Sequence, residues 1–109
     1  MILREAPDAV FAALADPTRR RVLRLVAEHG PTSATTLERE MPVTRQAIAK
    51  HLLVLSHAGL LARKRDGQQV RYALVPAQLS EAAEWIAALG ARWDDRLARL
   101  RSYLVDSAD

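Results

Sequence analysis

Cysteine is missing altogether from this chain of 109 residues. Disulfides, thiolate metal sites and cysteine nucleophiles are therefore excluded. Histidine occurs three times and never after His57, so the C-terminal half offers no imidazole to a transition metal. The carboxylates there (Glu81, Glu84, Asp94 and Asp95) seldom build such a site alone and read as solvated charges. There is no glycine-rich phosphate loop. Ser33, Ser56, Ser80, Ser102 and Ser107 lack a nearby histidine–acid pattern, so the chain is not read as an enzyme and no cofactor is expected. No stretch approaches the ~18–20 apolar residues of a membrane span. The opening MILREAPDAVF lacks the basic-then-apolar layout of a signal peptide. A cytoplasmic protein with no membrane partner is expected. Glycine is scarce, with four residues, which favours long helices.

Half of the residues are hydrophobic, enough for one packed core but, at this length, not for two. Residues 1–109 are thus expected to form a single domain. The net charge of +3 hides an asymmetry. Residues 43–71 hold six basic side chains (Arg45, Lys50, Arg63, Lys64, Arg65, Arg71) against Asp66 alone, while the remainder holds ten basic and twelve acidic ones. A concentrated basic segment points to an anionic partner there.

Ala9, Val10, Ala13 and Leu14 suggest a short first helix beginning near Pro7-Asp8. In DPTRRRVLRLVAEHG, Asp16 can cap, Pro17 suits the first helical position, and Gly30-Pro31 ends the segment. Val22, Leu23, Val26 and Ala27 form its inward stripe. A third helix follows in TSATTLEREMP, starting at Thr32, Ser33 or Thr35, with Leu37 and Met41 inward and Pro42 as its stop. Thr44 caps a fourth, and Val43 can staple onto Ile48. That helix runs to about His57, with Gly59 suited to its C′ position. Ile48, Leu52 and Leu55 lie within roughly 60° of one another on a helical wheel, while Gln46, Ala49 and Lys50 point away. Residues 33–57 therefore read as helix, tight turn of two or three residues, helix. The alternation of Val70, Tyr72 and Leu74 with Gln69, Arg71 and Ala73 then signals a half-buried strand. Asp66-Gly67 supplies a two-residue hairpin turn.

A helix-turn-helix followed by a basic hairpin is a DNA-binding geometry: the second helix enters the major groove and its first residues reach base edges. Gln46 can pair with an adenine edge, and Arg45 suits a guanine or a phosphate. Ser33, Thr44 and Lys50 are suited to phosphates, with Ala49 on the same face. His51, at the edge of the apolar stripe, reads as a structural or phosphate-contacting residue. Around the hairpin, Arg63, Lys64, Arg65 and Gln68 face outward, with Arg71 a further candidate. Leu53 and Val54, off the main stripe, are expected to pack against the wing or a neighbouring helix.

From Pro76 to about Val105 a helical period returns in Leu79, Ala82, Ile86, Leu89, Trp93, Leu97, Leu100 and Leu104. A helix so long cannot be covered by its own domain, and an exposed apolar stripe marks an interface. A two-fold homodimer is expected through residues 7–15 and 77–105, with Val10, Leu14, Ile86, Leu89, Trp93, Leu97, Leu100 and Leu104 at the contact. Gly90 leaves open close approach of a partner helix or a kink.

The segments LADPTRRRVLRLV, VTRQAIAKHLLVLSHAGLL and DGQQVRYAL resemble the ArsR/SmtB family of bacterial winged-helix repressors, in a similarity running from about Val10 to Leu104. The resemblance implies a mainly α winged helix-turn-helix of five helices and a two-stranded wing. It also implies dimerisation through the first and last helices and binding to inverted repeats in double-stranded DNA. Family members commonly carry a small hydroxyl residue where this chain has Ala49. The metal-sensing branches use cysteines near the third helix or Asp/His/Glu pairs on the last; neither pattern is present, so the chain resembles the metal-independent members. Two other uses of the same fold are a protein-docking module, with the wing meeting an acidic partner, and a small-molecule-responsive sensor whose effector the sequence does not identify.

Overall fold

The computed structural model describes residues 6–107. In chain order they form α1 (Asp8–Leu14), α2 (Pro17–His29), α3 (Ala34–Glu38), α4 (Arg45–His57), β1 (Leu61–Asp66), β2 (Gln69–Leu74) and α5 (Pro76–Ser107). This is the winged helix-turn-helix, with five helices and one antiparallel hairpin. Among the described residues no helix is long and apolar enough to cross a membrane.

Local chemistry sets most boundaries. The Asp16 carboxylate accepts from the N–H groups of Thr18 (2.7 Å) and Arg19 (3.2 Å), and Pro17 fills the first helical position of α2. The same turn closes α1. Arg19 donates to the carbonyls of Ala13 (2.8 Å) and Ala12 (3.2 Å), and Arg20 to that of Leu14 (2.7 Å), neutralising the negative end of the α1 dipole. Ser33, one of three candidates, caps α3, and Thr44 caps α4 through the Ala47 N–H. Helix α4 stops in a Schellman motif: Gly59 takes φ 79°, its N–H donates to Ser56, and the Leu60 N–H donates back to Leu55.

The core lies between α1, α2, α3, α4, the start of β1 and one turn of α5. Val22, Val26, Leu37, Ile48, Leu52, Leu55 and Leu60 are fully enclosed in it, and Val43 packs at its margin. Several expectations need correction. Ala27 is exposed, and Leu25 takes its place at the core edge. Helix α3 ends at Glu38 rather than at Pro42, so the turn of the helix-turn-helix spans six residues, 39–44. Proline forbids continuation but does not compel a helix to reach it. Met41 is buried all the same, from the turn. The wing turn is centred on Gly67-Gln68, with Asp66 still paired to Gln69. Glycine takes the positive φ at the first central position (64°) and Gln68 keeps a negative one, a II′-type arrangement that leaves Asp66 unstrained. Val10, expected at a dimer contact, is only 2% exposed within the single chain and belongs to its own core; Leu14 is half-buried there too.

Helix α5 dominates the shape. Its 32 residues measure ~48 Å at 1.5 Å per residue, and the molecule extends 73 × 28 × 20 Å. The radius of gyration is 19.8 Å, against ~13 Å for a compact chain of this size. Only its first turns dock: Leu79 and Ala82 meet the core, and the Trp85 ring stands edge-on to Phe11 at 5.5 Å. From Ile86 onward the stripe of large apolar side chains is exposed. The helix passes through Gly90 without a break.

Candidate nucleic-acid interface

The outward side of α4 begins with Thr44, Arg45 and Gln46 and continues with Ala49 and Lys50, all exposed. A groove runs beside it. Ser33, Ala34 and Thr35 at the start of α3 form one wall, Arg45 and Ala49 the floor, and Gln68, Gln69, Val70 and Tyr72 of the wing the other wall. Three elements distant in sequence thus meet around the first turns of one helix. The inward residues Ile48, Leu52 and Leu55 hold that helix rigidly.

The hairpin register distributes the wing cations over both its faces. Arg63 lies opposite Tyr72 and Arg65 opposite Val70, whereas Lys64 lies opposite Arg71. The Arg63 guanidinium sits 5.9 Å from the centre of the Tyr72 ring, a distance at which the ring face attracts a cation. Arg71 is drawn into the wing itself: its Nε is 3.2 Å from Asp66 Oδ2, and its Nη1 donates to the Pro31 carbonyl at 3.4 Å. The wing root is tied down by reciprocal backbone bonds between Thr32 and Tyr72, 3.0 and 2.8 Å long. Arg63, Lys64, Arg65 and Gln68 are exposed around the remainder.

Two site candidates are not fully exposed. Ser33 is 7% exposed, and its Oγ accepts the Thr36 N–H (3.3 Å) and shares a hydrogen bond with the Thr36 hydroxyl (3.1 Å). His51 is half-buried on α4. The Asp16 carboxyl is held below the usual carboxylate range, chiefly by the Arg19 N–H. The Thr18 N–H and the charges of Arg19 and His51 act in the same sense against partial desolvation. Leu53 and Val54 also depart from expectation. They are left 45% and 39% exposed. Thr35, Gln69 and Val70 line the groove without having been singled out from sequence. Their only signal was proximity in sequence to Ser33 and Gln68, since the groove exists only after folding.

A short recognition-type helix, a second helix crossing behind it and a basic hairpin beside it define a winged helix-turn-helix DNA-binding protein. Comparisons with known proteins carry this further. A family model described as a helix-turn-helix domain matches residues 14–64. The HTH-type transcriptional regulator Rv2034 of Mycobacterium tuberculosis is 40% identical over 75 residues, covering 69% of each chain. The transcriptional repressor SdpR of Bacillus subtilis is 31% identical over 77 residues, 71% of this chain and 84% of that one. Among solved structures, an ArsR-like transcriptional regulator from Rhodococcus sp. RHA1 superposes with a TM-score of 0.79 at 40% identity, covering 88% of this chain and 90% of that one. A more distant structure from Mycobacterium bovis, described as a homodimeric winged helix-turn-helix DNA-binding domain and possible ArsR-family regulator, shares the fold. Its TM-score is 0.59 at 22% identity, with coverage of 83% and 80%. The chain belongs to the ArsR family of transcriptional regulators and is a DNA-binding regulator, not an enzyme.

Proposed function

We propose that the chain is a cytoplasmic, dimeric repressor that binds an inverted repeat in double-stranded DNA. Helix α4 lies in the major groove and the wing against the flanking backbone. The observation that carries the reading is the exposed line Arg45, Gln46 and Lys50 at the start of α4, beside a groove whose far wall is Gln68, Gln69, Val70 and Tyr72 of the wing. Gln46 and Arg45 read bases; Thr44, Lys50, Arg63, Lys64 and Arg65 hold phosphates. Ala49 and Gln68 face the same groove. Dimerisation runs through residues 77–105, where Ile86, Leu89, Trp93, Leu97, Leu100 and Leu104 are exposed, and through the accessible side of residues 7–15. It would set the two α4 copies about 34–36 Å apart, one turn of DNA. The repressor named among the relatives and the homodimer named among the structures support the assignment. No metal is required, since the chain lacks cysteine and carries no histidine on α5.

Selection of bound sequences from random DNA should return one palindromic site. On that site Gln46→Ala or Arg45→Ala should relax preference at one base pair per half-site, at a cost on the order of 1–3 kcal/mol for a bidentate contact. Equal binding to all sequences by the unaltered protein would overturn the reading.

A further inference from the structure

Outside α5, the large hydrophobic side chains left exposed among the described residues are Leu53 and Val54, both on α4. Neither is needed by the core, which takes Ile48, Leu52 and Leu55 from the same helix. Leu53 stands seven residues after Gln46 and four after Ala49. At 100° per residue those three side chains fall within about 60° of one another on the outward side, whereas Val54 lies a further 100° round. The surface offered beyond the polar start of α4 is therefore a strip of methyl groups, flanked by the charge of Lys50. An exposed leucine on an otherwise polar reading face calls for an apolar counterpart. Among the base edges displayed in the major groove, the apolar group is the 5-methyl of thymine.

We infer that Ala49 and Leu53 read thymine methyl groups. Each half-site would then carry thymines next to the base pair contacted by Gln46, on the side toward which α4 runs. This rests on the proposal that α4 occupies the major groove, and it adds a specificity that the polar residues cannot supply.

The test replaces each thymine of the selected site, one at a time, by deoxyuridine, which removes the methyl group and nothing else. Affinity should fall about fourfold per half-site at one or two positions, the weight of one buried methyl group. Leu53→Ala, at an exposed position that leaves the core intact, should bind the thymine site more weakly and lose its sensitivity to deoxyuridine at the same position. The inference is overturned if no thymine matters, or if Leu53→Ala weakens the thymine and deoxyuridine sites equally. Gln46→Ala on the same DNAs separates the two levels. If it still alters preference while no methyl counts, α4 reads DNA and the methyl assignment alone fails. If neither variant changes preference, the placement of α4 fails as well.

Discussion

Replacing Trp93 by alanine probes the α5 stripe at its bulkiest point. A buried aromatic side chain covers ~150–250 Å², and Trp93 is 59% exposed, so each copy has about 90–150 Å² left for a partner. Two-fold symmetry doubles this, and at ~25 cal/mol per Å² the ceiling is about 4–7 kcal/mol per dimer. Interfaces recover only part of such an area term because association also costs freedom and side-chain order. Half of the ceiling, about 2–4 kcal/mol, corresponds to roughly a 30- to 1,000-fold rise in the dimer dissociation constant. Sedimentation equilibrium over a concentration series measures it directly. Asp95→Ala, about 200° round the helix from Trp93, is the control and should sediment as the unaltered chain does. An unaltered chain that is monomeric at tens of micromolar, or a Trp93→Ala chain as dimeric as its parent, would refute the argument from exposed area.

Arg63→Ala or Arg65→Ala should weaken binding to specific and unrelated DNA alike and lower the slope of log K against log salt by about one, as read by fluorescence anisotropy at several salt concentrations. Asp16→Ala should lower the melting temperature at neutral pH by removing the cap of α2, whereas Asp16→Asn, which still caps, should lower it less. The depressed Asp16 carboxyl is ionised to lower pH folded than unfolded, so its contribution is present above the ordinary carboxylate range and disappears as pH falls through the depressed value. Melting curves from neutral to acid pH should therefore converge for the parent and Asp16→Asn. Operator affinity should not respond to zinc or to chelators, because cysteine is absent and α5 carries no histidine; stoichiometric zinc binding with release of DNA in a titration would contradict this.

Where a boundary depends on one side chain and its own backbone, the sequence was readable to the residue. Asp16 with Pro17, Thr44 and Gly59 all sit where their capping chemistry puts them. Boundaries set by packing were not. Nothing local in TTLEREMP says that α3 unwinds after Glu38 while Met41 still turns inward. The hairpin turn was displaced by one residue because Asp-Gly fits two positions, and only strand pairing selects Gly67-Gln68. The start of α4, with Arg45 and Gln46 exposed, was legible from the Thr44 cap and the polar residues after it. The wing wall of the groove and the bond from Arg71 to Pro31 depend on contacts 40 residues apart in sequence, and the Arg71–Asp66 pair on the strand register across the hairpin. Val10 shows the same limit: an apolar residue on a short helix suits a core or a partner equally, and its burial decides for the core.

The junction between α4 and β1 has a consequence for how such a regulator can be controlled. Leu60 is fully enclosed, its N–H donates to Leu55 at the end of α4, and its carbonyl accepts from Val75 just beyond the wing. One residue is thus stitched at once to α4 and to the end of the strand that leads out of the hairpin. Swinging helix and wing apart would break at least one of these bonds and expose Leu60, so the two are coupled as one blade. A signal that released this protein from DNA would leave each blade intact and change the angle or distance between two of them. In the proposed dimer that relation is set on α5, where the exposed apolar stripe lies.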